Sequence, residues 1–365
     1  MRAFAFLFRA AIGVFSIAVI TATTAQSAIR VATDIAPVHS LVAMITEGVS
    51  EPDLVIQRGA SPHSYSLRPS EAAALERADV VFWMGDELTP WLGNALNNLA
   101  ADAQAIALLD RHETLRYDFR DAVAHQESSD QESLDSHESH NHDEVRAPTD
   151  AHEAEHDHDH DHDHDHDHDH DHDHDEPVDT HKAHSEHDDH AHEGVDPHAW
   201  LDPVNAQRWL AVIADTLAAA DPEHAAAYRA NQRIAQTTID TLISNTNASL
   251  APVSKRPFIV FHDAYQYFEK RFDLNVVGAI ALSDARDPSP SQIATIQAVV
   301  REHAVRCVFA EPQFNASLVD TVLDGTRAET GILDPVGTSI PSGPDFYPRL
   351  IEDLAQALTD CLAPG

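Results

Sequence analysis

The sequence predicts an α/β fold: two lobes, each with a mainly parallel four-stranded sheet flanked by helices, joined by one long rigid helix. Three observations lead there. Short apolar or β-branched runs alternate with helical stretches in both halves, the pattern of a parallel sheet covered by helices. Between the halves, Glu223 to Leu250 holds no Gly or Pro. Within the first half, a long stretch of Asp, Glu, His and Ser holds too few large apolar residues to join a core.

Ile29 to Ile35 is a β-branched strand, and Pro37 opens a helix through about Glu47. Asp53 to Gln57 is a second strand. Arg58 to His63 is a loop, and Pro69 starts a helix to about Ala78. Asp79 to Met84 is an apolar strand, Glu87 to about Ala100 a helix, and Ala105 to Leu109 a strand. Asn205 to about Ala219 is a helix. Asp221 then reads as an N-cap with Pro222 at the first helical position. Apolar residues recur at Tyr228, Ile234, Ile239, Leu242 and Ile243, so one helix of about 43 Å is expected at about 1.5 Å per residue. The second half repeats the theme. Strands are expected at Phe258 to Phe261, Asn275 to Ala281 and Arg306 to Ala310, with a short strand exit at Ile332 to Asp334. Helices are expected at Ala264 to Phe272, Ser289 to His303, Ala316 to about Glu329, and Phe346 to Leu362. The expected organisation is a leader at 1–28, a first lobe at 29–220 interrupted at about 119–194, a linking helix at 221–252, and a second lobe at 253–365.

The leader has Arg2 and Arg9 around an apolar stretch to Ile20, then small residues to Ala28. That is a secretory signal peptide, cleaved between Ala25 and Ala28. Its apolar stretch is too short to span a bilayer. Export places the mature chain in a bacterial periplasm. In that oxidising compartment Cys307 and Cys361, the two cysteines of the chain, suggest one disulfide. Two buried free thiols are the alternative.

The formal charge is −38 over 365 residues. From Asp121 to Asp196 there are 28 acidic residues against Arg146 and Lys182, so about −26 of the total sits there. The balance argues against nucleic-acid binding and for attraction of cations. Inside that segment His156, His158, His160, His162, His164, His166, His168, His170, His172 and His174 alternate with Asp. Imidazole ligates zinc and its neighbours, and carboxylates add oxygen donors and charge. The run lacks fixed geometry, so it reads as an auxiliary metal collector, not the tight site.

The fixed site is sought among histidines at strand exits, where ligands bind in open α/β sheets. His63 follows Pro62 in a strand-to-helix loop. His198 lies in Asp-Pro-His-Ala-Trp, and His262 ends the strand Phe-Ile-Val-Phe. Asp334 sits at another strand exit. Three imidazoles with a carboxylate or water make a tetrahedral zinc site. His39 reads as packed or locally hydrogen-bonded, His224 and His303 as surface residues, and His112 is ambiguous. No His-Glu-x-x-His, Gly-x-Ser-x-Gly, Walker loop or Gly-x-Gly-x-x-Gly is present, so no enzyme is expected. Glu311, in Ala-Glu-Pro-Gln, is the one residue to offer as a general base, and a strand-end turn explains it as well.

With these residues assembled, the chain resembles the periplasmic zinc-binding proteins of ABC uptake systems, the ZnuA type among metal-binding solute-binding proteins. The matching stretches are Gly59-Ala-Ser-Pro-His63-Ser-Tyr-Ser-Leu-Arg-Pro-Ser70, Asp196-Pro-His198-Ala-Trp-Leu-Asp-Pro203, Phe261-His262-Asp-Ala-Tyr265 with Tyr267-Phe-Glu269, Phe309-Ala-Glu-Pro-Gln-Phe314, and Leu333-Asp334-Pro-Val-Gly337. The resemblance implies metal between two lobes, with His63, His198 and His262 as ligands. It places Asp334 where manganese-binding relatives use a carboxylate; in zinc proteins water can take that place. Some zinc members carry a Glu just before the first His, where this chain has Pro62. It also supports the Cys307–Cys361 disulfide.

The implied function is capture of Zn²⁺, the transported ligand, and delivery to an inner-membrane ABC permease, by a monomer with no catalytic role. Two alternatives stay open: a manganese or iron carrier of the same family, and a metal-buffering or adhesive periplasmic protein without a permease. A zinc hydrolase is disfavoured by the missing general-base motif.

Overall fold

Pro in the first turn starts α1 (Ala36–Thr46), α2 (Pro69–Arg77) and α3 (Pro90–Leu99), where its missing N–H has no helical partner to lose. Between them run β1 (Val31–Thr33), β2 (Asp53–Leu54), β3 (Val80–Trp83) and β4 (Gln104–Ala107), which pair in parallel in the order β2-β1-β3-β4. The computed structural model describes residues 28–120, 194–281 and 288–363. The expected leader and the His-Asp run lie outside them.

The chain then passes through a 3₁₀ turn (Ala199–Leu201), α4 (Pro203–Ala220) and α5 (Ala225–Leu250) to β5 (Pro257–His262). The last elements are α6 (Gln266–Phe272), β6 (Asn275–Ala281), α7 (Pro290–Glu302), β7 (Cys307–Ala310), α8 (Ser317–Leu323), β8 (Glu329–Ile332) and α9 (Phe346–Leu362). The second sheet is also wholly parallel, in the order β6-β5-β7-β8. Both sheets therefore share one topology, in which chain order reverses beside the first strand. A crevice opens at the carboxyl ends of such strands. The central strands β3 and β7 are buried along their length, as the apolar runs Val-Val-Phe-Trp and Cys-Val-Phe-Ala require.

Two helices differ from the sequence reading. The long helix starts at Ala225, not Asp221, and its 26 residues give about 39 Å at about 1.5 Å each. The Asp221 carboxylate is not an N-cap. It accepts from the His224 ring at 2.8 Å and the Tyr228 hydroxyl at 2.8 Å, which turns Pro222 to His224 into a separate bend. The helix expected from Ala316 to Glu329 stops at Leu323. Gly325, at φ +71°, takes the left-handed conformation that ends a helix, and Glu329 begins β8 instead. α5 packs on α1 and α4 of the first half and on α9 of the second, so it touches both.

The ends of the expected insertion are fixed. Asp118 and Val195 form an antiparallel bridge, and Phe119 N–H donates to Gly194 C=O at 3.0 Å. The bridge is held against α6: Gln266 donates to Asp118 C=O at 3.1 Å and Tyr267 to Asp196 C=O at 2.8 Å. Arg120 pairs with Asp263 at 2.6 Å and Glu269 at 2.5 Å. Cys307 and Cys361 are bonded, with Cα atoms 6.1 Å apart, stapling β7 to α9. No helix among the described residues is long and apolar enough to cross a membrane.

Candidate metal centre

Each of the three histidines is placed by its own local device. His63 lies in the loop between β2 and α2. The Trp91 indole N–H donates to Pro62 C=O at 3.0 Å, and Ser61 Oγ accepts the His63 N–H at 3.3 Å, so the loop is held on both sides of Pro62. His198 precedes the 3₁₀ turn, and its carbonyl accepts from Leu201 N–H at 3.0 Å. Trp200, buried beside it, donates from its indole to Pro335 C=O at 2.9 Å, which ties this turn to the loop after β8. His262 is the last residue of β5, with the Phe314 ring edge-on at 5.5 Å.

The three rings meet. His198 stands 5.5 Å from His63 and 5.3 Å from His262, centroid to centroid. Two imidazoles sharing one tetrahedral zinc at about 2.1 Å per Zn–N bond would have centroids roughly 5 Å apart, so both spacings suit a shared ion. No group of three His, Cys, Asp or Glu among the described residues is arranged to clasp an ion as it stands. A small ring rotation moves a ring nitrogen without moving the backbone. The same three rings line one pocket with Ser61, Pro62, Trp200, Glu311, Gln313, Phe314, Pro335 and Val336. Its free space of about 20 Å³ has room for an ion or a water.

Two carboxylates hold two of the rings: Asp196, which the sequence reading did not name as a site residue, and Glu311, which it offered only as a general base. Asp196 Oδ1 lies 2.7 Å from His198 Nδ1 and accepts the His198 backbone N–H at 3.0 Å. Glu311 Oε1 lies 2.7 Å from His262 Nδ1 and accepts the His262 backbone N–H at 3.3 Å. Asp196 is held in turn by Gln266 at 3.1 Å. Glu311 is buried, and the buried Tyr265 phenol lies beside its carboxylate. Burial first, then the nearby carboxylates of Glu311 and Asp334, hold the Tyr265 phenol well above its usual range. Asp196 had a faint signal, two residues before a histidine. Glu311 had only its place at a strand exit.

Asp334 does not line the pocket; its neighbours Pro335 and Val336 do. Its Oδ1 accepts from Gln313 at 3.1 Å and Val336 N–H at 3.2 Å, and its Oδ2 from Thr338 N–H and Oγ1 at 2.6 Å each. The loop it closes turns at Gly337, φ +62°, where an added Cβ would come within 2.7 Å of the Phe346 ring. The ten histidines from His156 to His174 lie outside the described residues.

Comparison with known proteins follows the same lines. The family described as "Zinc-uptake complex component A periplasmic" (ZnuA) matches residues 31–361. The chain is 41% identical over 333 residues to the high-affinity zinc uptake system protein ZnuA of Brucella suis biovar 1, covering 91% of both chains. It is 39% identical over 334 residues to the protein of the same name from Paracoccus denitrificans, again covering 91% of each. Among solved structures, a crystal structure of ZnuA superposes with a TM-score of 0.65 at 19% identity, covering 92% of this chain and 100% of that one.

Proposed function

This chain belongs to the periplasmic zinc-uptake component A (ZnuA) family, and on that premise we propose how it takes up its ion. Zinc is the transported ligand, captured in the periplasm for an inner-membrane ABC permease. His63, His198 and His262 are the ligands, at the crevice between an N-terminal lobe (29–220) and a C-terminal lobe (253–365). The helix assigned to 221–252 links the two. The observation that carries this reading is the meeting of three imidazoles from three distant segments at one ion-sized pocket.

The chemistry follows from the donors. Three neutral imidazoles suit zinc, while manganese prefers oxygen. Asp334 is assigned to its loop, because ligation would break its bonds to Val336 and Thr338. Water then completes the tetrahedron, as in zinc sites with three protein ligands. Binding and release need no chemical step, so the chain acts as a carrier, not an enzyme. The His-Asp run from His156 to His174 gathers ions weakly as an auxiliary collector, in line with its composition.

Zinc calorimetry on metal-free protein tests the reading, alongside a variant lacking the His-Asp run and a His63→Ala, His198→Ala, His262→Ala triple variant. One tight site is expected in the wild type and in the run-deleted form, and none in the triple variant. A tight site that vanished with the run would move the primary site away from the three histidines.

A further inference from the structure

We propose that Glu311 is a positioning residue of the zinc site: it fixes the His262 ring so that Nε2 is the nitrogen offered to the ion. This rests on the reading of His63, His198 and His262 as zinc ligands.

The sheet itself delivers the pair. β5 and β7 align Phe258 with Cys307 and Ile259 with Val308. The same register carried forward sets His262 beside Glu311, at the carboxyl ends where strand order reverses. There one carboxylate oxygen holds both the ring Nδ1, at 2.7 Å, and the backbone N–H, at 3.3 Å, of the same histidine. A carboxylate only accepts, so the ring hydrogen sits on Nδ1 and the lone pair on Nε2. That is the form a metal needs, and a carboxylate behind the ring makes the imidazole a stronger donor.

Two further observations point to a cation. Asp196 brackets His198 in the same way, through its ring at 2.7 Å and its backbone N–H at 3.0 Å. Two carboxylates thus stand behind the rings, and their two charges match one dication in a confined pocket. Glu311 is 3% exposed, with the Tyr265 phenol beside its carboxylate. A carboxylate buried to this degree is costly unless positive charge arrives nearby.

The experiment uses the full metal-free chain, zinc ion with a competing chelator, and long-range ¹H–¹⁵N spectra of the histidine rings. In the wild type, His262 is expected as the Nδ1–H form, with zinc on Nε2. Glu311→Gln keeps the volume and removes the charge, and is expected to weaken zinc binding by about 10–100-fold. Manganese binding should fall by less, because imidazole donation matters less to it. Glu311→Asp should recover part of the loss. Hydrogen on Nε2 of wild-type His262 would overturn the proposal, as would wild-type zinc affinity in folded Glu311→Gln. If that variant does not fold, the wild-type ring spectrum decides. Failure of the underlying reading looks different: zinc affinity would then survive in the triple histidine variant, whatever Glu311 does.

Discussion

The imidazoles of His198 and His262 stand with centroids 5.3 Å apart and planes at 64°, although one precedes a 3₁₀ turn and the other ends a strand of the second sheet. Each ring has a carboxylate at its Nδ1, so both rings are held in a set orientation. Either one removed should cost more than the 10–100-fold typical of a supporting residue. His198→Ala and His262→Ala are therefore each expected to lower zinc affinity by more than about 100-fold. Competition against a chelator of known affinity reads this directly.

Asp334 should separate stability from binding. Its two oxygens accept four hydrogen bonds within the loop after β8 and from Gln313. Replacing it by Asn leaves some of these donors poorly matched, at about 1–3 kcal/mol. Urea unfolding should register that loss, while zinc affinity changes by less than about tenfold, far below a ligand's contribution. A loss as large as that of His262→Ala would make Asp334 a ligand.

His39 supplies a pH prediction. It is buried, its Nε2 donates to Pro52 C=O at 3.0 Å, and its buried Nδ1 has no partner among the described residues. Burial, opposed by the Pro52 carbonyl, lowers the ring below its ordinary range. The unfolded chain then binds a proton at about pH 6.5 while the folded chain resists it. Stability from this group is complete above that pH and is lost as pH falls below it, toward the lower folded value. With chelator present, wild-type stability should drop between pH 7.5 and 5.5. His39→Gln, lower in stability throughout, should show a shallower drop; an equal slope in both proteins would remove His39 from the account.

Loss of the disulfide should weaken the fold. It closes a span of 54 residues between β7 and α9. Chain-entropy arguments give about 4 kcal/mol for a loop of that length. Thermal unfolding of the Cys307→Ala, Cys361→Ala double variant should show a markedly lower midpoint. The pocket begins one residue beyond β7, so a modest loss of zinc affinity is expected with it.

Arg120→Met tests the clamp at the neck of the insertion. The variant leaves Asp263 and Glu269, each under a fifth exposed, without their cation. Breaking a buried pair from one side costs about 3–5 kcal/mol. Because Asp263 follows His262, zinc affinity should fall as well, and Asp263→Asn in the same background should return part of the stability.

Much of this was legible in advance because strand exits announce themselves. His63, His198 and His262 each stand where an apolar run or a Pro-marked loop ends, and the fold brings their rings to one pocket. The supporting carboxylates did not announce themselves. Glu311 meets His262 only through sheet register, and nothing local in Ala-Glu-Pro-Gln reveals its partner. Asp334 shares the strand-exit placement, and its oxygens accept from its own loop and from Gln313. The helix expected through Glu329 failed because a single glycine, Gly325, outweighed the helical pattern around it. The start of α5 was misjudged because Asp221 had better partners in His224 and Tyr228 than a helix N-terminus.

The bridge between Asp118 and Val195 carries a consequence for how this chain can change. Its two sides are already pinned together by residues of the folded body, so whatever is threaded between them adds no demand on either sheet. Each doubling of such a threaded length costs only about 0.6 kcal/mol. A tract of two-residue repeats placed there can grow or shrink by whole units while every strand keeps its register. The number of imidazoles the chain carries is thereby uncoupled from the architecture that orients the three at its centre.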